Sequence, residues 1–400
     1  MIRVVQASER PLHRPPGLAL ALLLAAACAL PLAASAEDNA GAARATKGEP
    51  AALGKLLELA RSGDTEAQLR LGRVYYDGQG VPRDVALALD WWRKAAAKGQ
   101  TQAMNLIGHL YQEGLGVPQD YSEARLWYRQ AAEAGLPAAA NNLGWLYLKG
   151  EGSGKSPALA KEWFDRAAEK DFPAAHYSLG YLYAGGIGVP RDAKRALELY
   201  RQAADRGYAP AARAIGWHYQ TGQGVERDYA EAKRWYEKAA AQGDFEAEAM
   251  IGQLFQQGLG VPRNLDAARE HYEKAAAGGD PTGQLFLGWL YQQGLGVAQD
   301  YAAALAWYRK SAAQGDATAQ NDIGYLYDKG LGVTRNDKEA FAWYLKAAAQ
   351  DEPTALFNVG YMYEEARGVA RNLDQAFRYY QKAADRGNPE AKRILGTAAR

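Results

Sequence analysis

TQAMNLIGHLYQEGLGVPQDYSEARLWYRQAAEAGL, residues 101–136, is one copy of a unit that recurs nine times between residues 65 and 388. Each copy contains a glycine that directly follows Leu, Ile or Val. These glycines recur every 36 residues, at Gly72, Gly108, Gly144, Gly180, Gly216, Gly252, Gly288, Gly324 and Gly360, and Gly396 continues the series. Self-similarity at a fixed period in this range indicates a stacked repeat array.

Two helices are predicted in each copy. In the copy above, Ala103, Ile107 and Tyr111 are spaced by four and share one face of a first helix, which ends at Gly114. A second helix begins after Asp120, whose side chain can accept hydrogen bonds from free N–H groups of the first turn. Every copy has a capping residue there: Asp84, Asp120, Ser156, Asp192, Asp228, Asn264, Asp300, Asn336 and Asn372.

The second helix has an apolar face that one helix cannot bury alone. It presents Ala124, Trp127, Tyr128 and Ala131 at helical spacing, and alanine recurs at the first of these positions in all nine copies. A side chain this small at a fixed place indicates close approach of two backbones. The pattern predicts an all-α solenoid of nine 36-residue helix-turn-helix repeats, with terminal half-repeats that act as capping helices at residues 53–64 and 389–400.

The N-terminus has the features of a secretory signal. Arginines precede an apolar run at residues 18–32, and Ala34-Ser35-Ala36 forms a cleavage site of small residues. We expect residues 1–36 to be a removed signal peptide and residues 37–52 to be a flexible linker. The mature protein is then periplasmic or secreted, and it has no stable membrane span.

Two alternatives remain for the N-terminus. The apolar run nearly reaches spanning length, but Pro31 and the small residues at its end oppose a membrane anchor. Cys28 could make the protein a lipoprotein, although Ala25 stands where lipid attachment sites favour Leu. Cys28 is the only cysteine, so the mature chain needs no disulfide.

The charge balance disfavours one class of partner. The formal net charge of the chain is +1, and residues 1–36 hold more Arg than Glu, so the mature chain is close to neutral. Nucleic-acid binding needs a basic face that displaces counterions. We therefore expect no nucleic-acid partner.

The stretch GEGSGKSP, residues 150–157, resembles a phosphate-binding loop but fails its spacing. Such a loop needs a glycine five positions before Gly154, and Lys149 stands there. The loop must also follow a β-strand, whereas this stretch follows a predicted helix. Gly150 and Gly152 align with Gly114 and Gly116 of the quoted copy, so the stretch is predicted to be an ordinary turn between two helices.

The repeat pattern resembles the Sel1-like repeat, a relative of the tetratricopeptide repeat. The shared features are Ala-x-x-x-Leu-Gly-x-x-Tyr, Gly-x-Gly-Val, a capping Asp, and Ala-x-x-Trp-Tyr-x-x-Ala-Ala-x-x-Gly. The departures are Ser153, Ala366, Asp171 and Asp351 at turn positions. The resemblance implies a right-handed α/α superhelical solenoid that acts as an adaptor between proteins. For exported bacterial members it implies roles in envelope assembly, polysaccharide export or host contact.

Catalytic chemistry has little support in the sequence. One cysteine-rich branch of the resembling family binds penicillin-type substrates, but this chain lacks those cysteines and any Ser with Lys three residues on. The four mature histidines, His109, His176, His218 and His271, occupy different positions of the repeat and lack metal-ligand spacing. We expect no catalytic residue, no cofactor and no metal, and hence no enzyme.

A candidate binding face follows from the position directly after the repeat glycine. It reads Arg73, His109, Trp145, Tyr181, Trp217, Gln253, Trp289, Tyr325 and Tyr361, and we call this series the aromatic row. At about 100° per residue it points away from the buried stripe of the first helix. In the resembling family the first helices line the concave surface. The amides of Asn105, Asn141, Asn142, Asn321 and Asn358 lie nearby and can bond a peptide backbone.

We predict partner-binding residues on this face: His109, Asn142, Trp145, Tyr181, Trp217, Trp289, Asn321, Tyr325, Asn358 and Tyr361. The partner is expected to be a protein or extended peptide. Three alternatives stay open. The rings could pack between repeats. The ladder could also stack on an envelope glycan, or the protein could be a cell-wall enzyme of the penicillin-binding repeat type.

Basic residues precede the second-helix caps in seven copies, at Arg83, Lys155, Arg191, Arg227, Arg263, Arg335 and Arg371. This basic series is either an edge for an anionic partner or a solvated surface row. The balanced total charge favours the solvated row.

Overall fold

The computed structural model describes residues 50–398, which form twenty α-helices and no β-strand. Residues 1–49, with the predicted signal peptide, Cys28 and most of the predicted linker, lie outside the described residues, as do residues 399 and 400. The helices follow one another in consecutive repeats of about 36 residues, so the predicted α/α solenoid is confirmed.

First and second helices alternate along the chain. The first helices are α2 (Thr65–Asp77), α4 (Thr101–Glu113), α6 (Pro137–Lys149), α8 (Pro173–Gly185), α10 (Ala209–Thr221), α12 (Phe245–Gln257), α14 (Pro281–Gln293), α16 (Ala317–Lys329) and α18 (Pro353–Glu364). The second helices are α3 (Val85–Ala96), α5 (Tyr121–Glu133), α7 (Pro157–Ala168), α9 (Ala193–Asp205), α11 (Tyr229–Ala240), α13 (Leu265–Ala277), α15 (Tyr301–Ala313), α17 (Asp337–Ala348) and α19 (Leu373–Asp385). Outside the nine repeats lie α1 (Pro50–Ser62), which begins before the predicted half-repeat, and α20 (Pro389–Ala398).

The described residues divide into two compact units. The N-terminal unit runs to His218 and includes residues 222–226. The C-terminal unit comprises residues 219–221 and the chain from Arg227 onward.

The predicted caps of the second helices are present in all nine repeats. Asp120, for example, accepts hydrogen bonds from the backbone N–H groups of Ser122 and Glu123 at 2.9 and 3.1 Å. The other eight caps likewise accept from the first turn. These bonds satisfy N–H groups that have no partner inside the helix, and so fix where each second helix begins.

The repeat glycine lies directly beneath an aromatic ring of the second helix. A Cβ on Gly288 would lie 2.8 Å from the ring of Tyr308 and 3.2 Å from the Ala304 carbonyl oxygen. The same contact joins Gly108 to Tyr128. Real Cβ atoms do not approach other atoms this closely, so only glycine lets the two helices of a repeat pack at this distance.

The hydroxyl of the same ring forms a hydrogen bond with the first helix. Tyr308 Oη donates to Gln292 Oε1 at 2.6 Å, and Tyr236 Oη donates to Gln220 Oε1 at 2.7 Å. The buried hydroxyl therefore does not lose a hydrogen bond on folding. Tyr344 differs: the equivalent first-helix residue is Asp328, and Tyr344 Oη makes no hydrogen bond to any described residue.

The departures from glycine keep the turn geometry. Asp171, Asp351 and Ala366 have φ values of 54°, 59° and 56°, in the left-handed region that glycine ordinarily supplies. In the stretch GEGSGKSP, Gly150 and Gly152 have φ values of 80° and 73°. Ser156 caps α7, so this stretch is the inter-helix turn that the repeat alignment predicts.

Candidate functional site

The aromatic row lies on the first helices, and its members differ in exposure. Trp145 and Tyr181 are buried, at 4% and 3% exposure. The other seven positions are half-buried: Arg73, His109, Trp217, Gln253, Trp289, Tyr325 and Tyr361. A single repeat position therefore contains both packed rings and rings with remaining surface.

In the N-terminal unit, Trp145 and Tyr181 form part of the packing between α6 and α8. Their ring centroids are 5.4 Å apart, and Trp145 Nε1 donates to Ser178 Oγ at 3.0 Å. The Ser178 hydroxyl lies 2.8 Å from Asn141 Oδ1, to which it donates. Burial raises the pKa of Tyr181 to about 12. These two rings match the packing alternative, and they leave little surface for a partner.

Two other members of the row belong to the N-terminal unit. Trp217 lies edge-on to His218, with ring centroids 5.3 Å apart. His109 is half-buried, and burial lowers the pKa of its imidazole, with Glu113 opposing the shift. A neutral imidazole at this place is a hydrogen-bonding group and not a charge at neutral pH.

In the C-terminal unit the row is more open. Trp289 and Tyr325 pack against the core formed by repeats 6 to 8, yet both remain half-buried. Tyr361 packs in the same way against the core of repeats 8 and 9. Each ring is therefore anchored on one side and retains exposed area on the other, as aromatic anchors at protein interfaces do.

Four of the five asparagines predicted beside the row pair with each other between adjacent first helices, and Asn141 instead accepts from Ser178. Asn142 Nδ2 donates to Asn105 Oδ1 at 3.1 Å, and Asn358 Nδ2 donates to Asn321 Oδ1 at 3.0 Å. Both pairs join residues 37 apart in sequence. Asn142 is half-buried, whereas Asn321 and Asn358 are fully buried. Asn321 and Asn358 thus support the junction between α16 and α18, and Asn142 has more surface to offer a partner.

Four arginines of the basic series donate hydrogen bonds to backbone carbonyl groups at the C-terminal ends of first helices. Arg83 Nε donates to the Tyr76 carbonyl oxygen at 2.9 Å, and Arg371 Nε donates to the Glu364 carbonyl oxygen at 3.1 Å. Arg191 and Arg263 make the same bond to Ala184 and Gln256. Carbonyl groups in the last turn lack a partner inside the helix. These four arginines satisfy such groups, which gives these four members of the series a structural role.

A second aromatic series, which the sequence analysis did not single out, lies on the second helices. In the C-terminal unit a lysine ammonium sits over the ring three residues earlier, as for Lys310 Nζ at 3.7 Å from the Trp307 ring centre and Lys346 Nζ at 4.1 Å from that of Trp343. Lys382 covers Tyr379 similarly, at 5.6 Å. The sequence signal was an aromatic residue followed by Lys at i+3, a spacing at which helical side chains meet.

One buried charge network is confined to repeats 8 and 9. Asp328 is fully buried, and Arg367 and Lys329 form ion pairs with it. Arg367 also pairs with Asp337 at 2.8 Å, and its hydrogen bond lowers the pKa of the Asp337 carboxyl. The equivalent position is Tyr, Gln, Leu or Ala in seven repeats and Glu364 in the last, so Asp328 is the one aspartate at this position of the nine repeats.

The histidines remain dispersed among the described residues. His271 Nδ1 lies 2.6 Å from Glu248 Oε2, and its ring stacks on Phe255. His176 is buried, and burial together with Arg206 lowers its pKa. Within residues 50–398 no three His, Cys, Asp or Glu side chains converge as metal ligands would. Over the same range no helix has the length and apolar character needed to span a bilayer.

Comparison with known proteins gives the repeat its family. The model of the Sel1 repeat matches nine consecutive segments, at residues 65–100, 101–136, 137–172, 173–208, 209–244, 245–280, 281–316, 317–352 and 353–388. These are the same nine copies that the glycine spacing defines. None of the curated proteins is a match.

Two solved structures are similar over most of the chain. One is c5321, a protective antigen of uropathogenic Escherichia coli strains that displays an SLR fold. It shares 35% identity with a TM-score of 0.51, over 86% of this chain and 82% of that one. The other is a Sel1 repeat protein from Oxalobacter formigenes, with 31% identity and a TM-score of 0.52, over 78% of this chain and 91% of that one.

Sel1 repeat proteins are typically scaffolds for protein–protein interaction, and they are generally not catalytic. The matched segments cover residues 65–388 without a gap. With its repeat glycines, its helix caps and its alternating first and second helices, the chain belongs to the Sel1 repeat family.

Proposed function

We propose that this protein is an exported, non-catalytic scaffold that binds a protein or an extended peptide on the first-helix face of its repeats. The observation that carries the proposal is the half-buried state of Trp289, Tyr325 and Tyr361 at successive equivalent positions of the C-terminal unit. At the same position Trp145 and Tyr181 are buried. Burial is therefore possible at this position, and the remaining exposure of the other three rings is a property of their own repeats.

The chemistry of these rings suits a protein partner. Trp and Tyr each supply a large, stiff contact area and one polar group. In many interfaces a few residues of this kind contribute most of the binding free energy. Truncation of such an anchor to alanine costs about 2 kcal/mol or more of binding free energy. The family supports the same partner class, because Sel1 repeat proteins bind proteins.

The proposed location outside the cytoplasm rests on residues 1–36. Their arginines, apolar run and Ala34-Ser35-Ala36 site match a secretory signal. The similar protein c5321 is a protective antigen, which agrees with an exported role. Expression in a Gram-negative host should yield a periplasmic or secreted protein whose N-terminus, by mass spectrometry, is Glu37. A chain that keeps residues 1–36 and stays in the cytoplasm would reject this location, whereas lipid on Cys28 would favour the lipoprotein alternative.

The binding proposal is tested by crosslinking in an envelope fraction, followed by mass spectrometry and titration of the purified partner. The test variant is W289A/Y325A/Y361A. The matched control is W307A/W343A/Y379A, which removes half-buried rings of similar size from the second helices of the same unit. Circular dichroism and thermal melting establish that both variants are folded.

Selective loss of one defined protein partner by W289A/Y325A/Y361A supports the proposal. Equal capture by the parent and both variants would reject the first-helix face. Retention on peptidoglycan or an exopolysaccharide, lost in the same variant without any protein partner, would favour the glycan alternative. Turnover of a cell-wall substrate, abolished by one point substitution, would reject the non-catalytic role.

A further inference from the structure

The last second helix, α19, has an uncovered apolar face. Leu373 and Phe377 lie one turn apart on it and are 55% and 53% exposed. Side chains four residues apart share one side of a helix, so the two form a single patch. Few other large apolar side chains of the described residues have comparable exposure.

The equivalent positions in earlier repeats are covered by the next repeat. Leu305, equivalent to Phe377, is 4% exposed. Phe341, also equivalent to Phe377, packs edge-on against Tyr363 of the following first helix, with ring centroids 5.2 Å apart. A Cβ on Gly368 would lie 2.1 Å from the backbone of Asp337, which is equivalent to Leu373. Leu373 and Phe377 thus form the inter-repeat packing surface, and no described residue covers it.

Charges on the same helix make this patch self-complementary. Asp374 and Arg378 are both exposed, lie one turn apart and have opposite signs. When two copies of α19 pack antiparallel about a two-fold axis, Leu373 of one copy meets Phe377 of the other. The same arrangement brings Asp374 of each copy close to Arg378 of the other. A two-fold contact requires a surface that is complementary to itself.

We propose that a second copy of this chain covers Leu373 and Phe377, forming a two-fold dimer through α19. The contact continues the packing surface that joins successive repeats inside one chain. The patch on one helix is smaller than the roughly 800 Å² per partner of standard interfaces, so the dimer is weak and concentration-dependent.

Sedimentation velocity of the chain without residues 1–36, from about 5 µM to about 500 µM, tests the proposal, because weak association appears only in the upper range. The disrupting variant is F377E. The control is L126E, which places the same charge at another exposed leucine, 48% exposed on α5. Thermal melting shows whether each variant is folded.

We expect the parent and L126E to form a dimer at high concentration and F377E to stay monomeric at all concentrations. D374R and R378D should each weaken the dimer at least tenfold, and the double variant D374R/R378D should restore it. A monomeric parent up to the highest concentration would overturn the proposal. A dimer that persists in F377E, or a double variant that fails to recover association, would also overturn it.

Discussion

Arg386 Nη2 donates to Oδ2 of Asp351, 35 residues earlier and in the preceding repeat, at a distance of 2.5 Å. Asp351 is one of two aspartates that replace a helix-ending glycine at positive φ. The other, Asp171, accepts from Arg206 at 2.6 Å, again across 35 residues. Each non-glycine residue at this turn is therefore matched by an arginine on the next repeat.

Substitution of Asp351 should separate backbone strain from the ion pair. We expect D351A to lower the free energy of unfolding by about 1 to 2 kcal/mol, because alanine tolerates positive φ poorly. D351G should change it by less than about 1 kcal/mol, since glycine relieves the strain while an exposed ion pair contributes little. Urea denaturation of both variants provides the measurement. Equal losses in D351G and D351A would show that the ion pair dominates, because both substitutions remove the carboxylate that pairs with Arg386.

The close approach of Gly288 to Tyr308 predicts a steric cost. G288A should destabilise the C-terminal unit by about 2 kcal/mol, because the added methyl group overlaps the ring and the helix-propensity gain does not offset this overlap. The control is G396A on α20, where a Cβ meets no atom within 4 Å. G396A should stabilise by up to about 1 kcal/mol. Equal effects of the two substitutions in denaturant titrations would contradict the packing argument.

The buried tyrosine hydroxyls should contribute different amounts to the stability of the fold in different repeats. Y308F removes the bond to Gln292 and leaves a buried amide oxygen with one acceptor site unfilled, so we expect a loss of about 1 kcal/mol. Y344F removes a hydroxyl that has no hydrogen bond to a described residue, and should be neutral or stabilising. Thermal melting of the two variants under identical conditions tests the difference. A larger loss for Y344F would indicate that its hydroxyl is satisfied.

His218 should make the N-terminal unit sensitive to acid. It occupies a position that is Leu in most copies, lies edge-on to Tyr200, and has Nδ1 2.7 Å from the Gln223 carbonyl oxygen. Burial lowers its pKa below 6.5, Arg191 adds to this, and the bond to Gln223 opposes it. As pH falls through 6.5 the unfolded chain binds a proton first, so stability decreases.

At pH 5 this contribution amounts to at most about 2 kcal/mol, if the folded imidazole stays neutral. H218L removes it, so the variant should gain stability relative to the parent as pH falls from 7.5 to 5. Urea denaturation at both pH values provides the comparison. His109 and His176 titrate in both proteins and therefore cancel in the difference. A difference that is constant with pH would show that the pKa of His218 is the same in the folded and unfolded chains.

The architecture was predictable because its determinants are local. The 36-residue spacing, the nine capping residues and the turn glycines all act within a few residues of where they stand in sequence. The helices and their caps agree with that prediction. The arginine partners of Asp171 and Asp351 were also visible in the sequence, because an arginine follows each of them 35 residues later.

The candidate site was less predictable, because burial of a first-helix ring depends on its neighbour in the next repeat. Trp145 is buried where Ser178 accepts its N–H, whereas Trp289 has Asp322 at the equivalent place, and Trp289 Nε1 makes no hydrogen bond to a described residue. An alignment of the copies by their 36-residue period does not show which side chain of the next repeat lies beside each ring. The asparagine pairs were missed for a similar reason, since 37 residues is one more than the period.

The pairs between repeats also distinguish the copies from one another. Asp171 with Arg206, Asp351 with Arg386, and Asn321 with Asn358 each require two specific neighbours. Recombination that deletes residues 353–388 would remove Arg386 and Asn358 while Asp351 and Asn321 remain. The copies are alike enough to align and to recombine, yet several of them are not interchangeable. Loss of one repeat is therefore expected to leave unmatched side chains at the new junction.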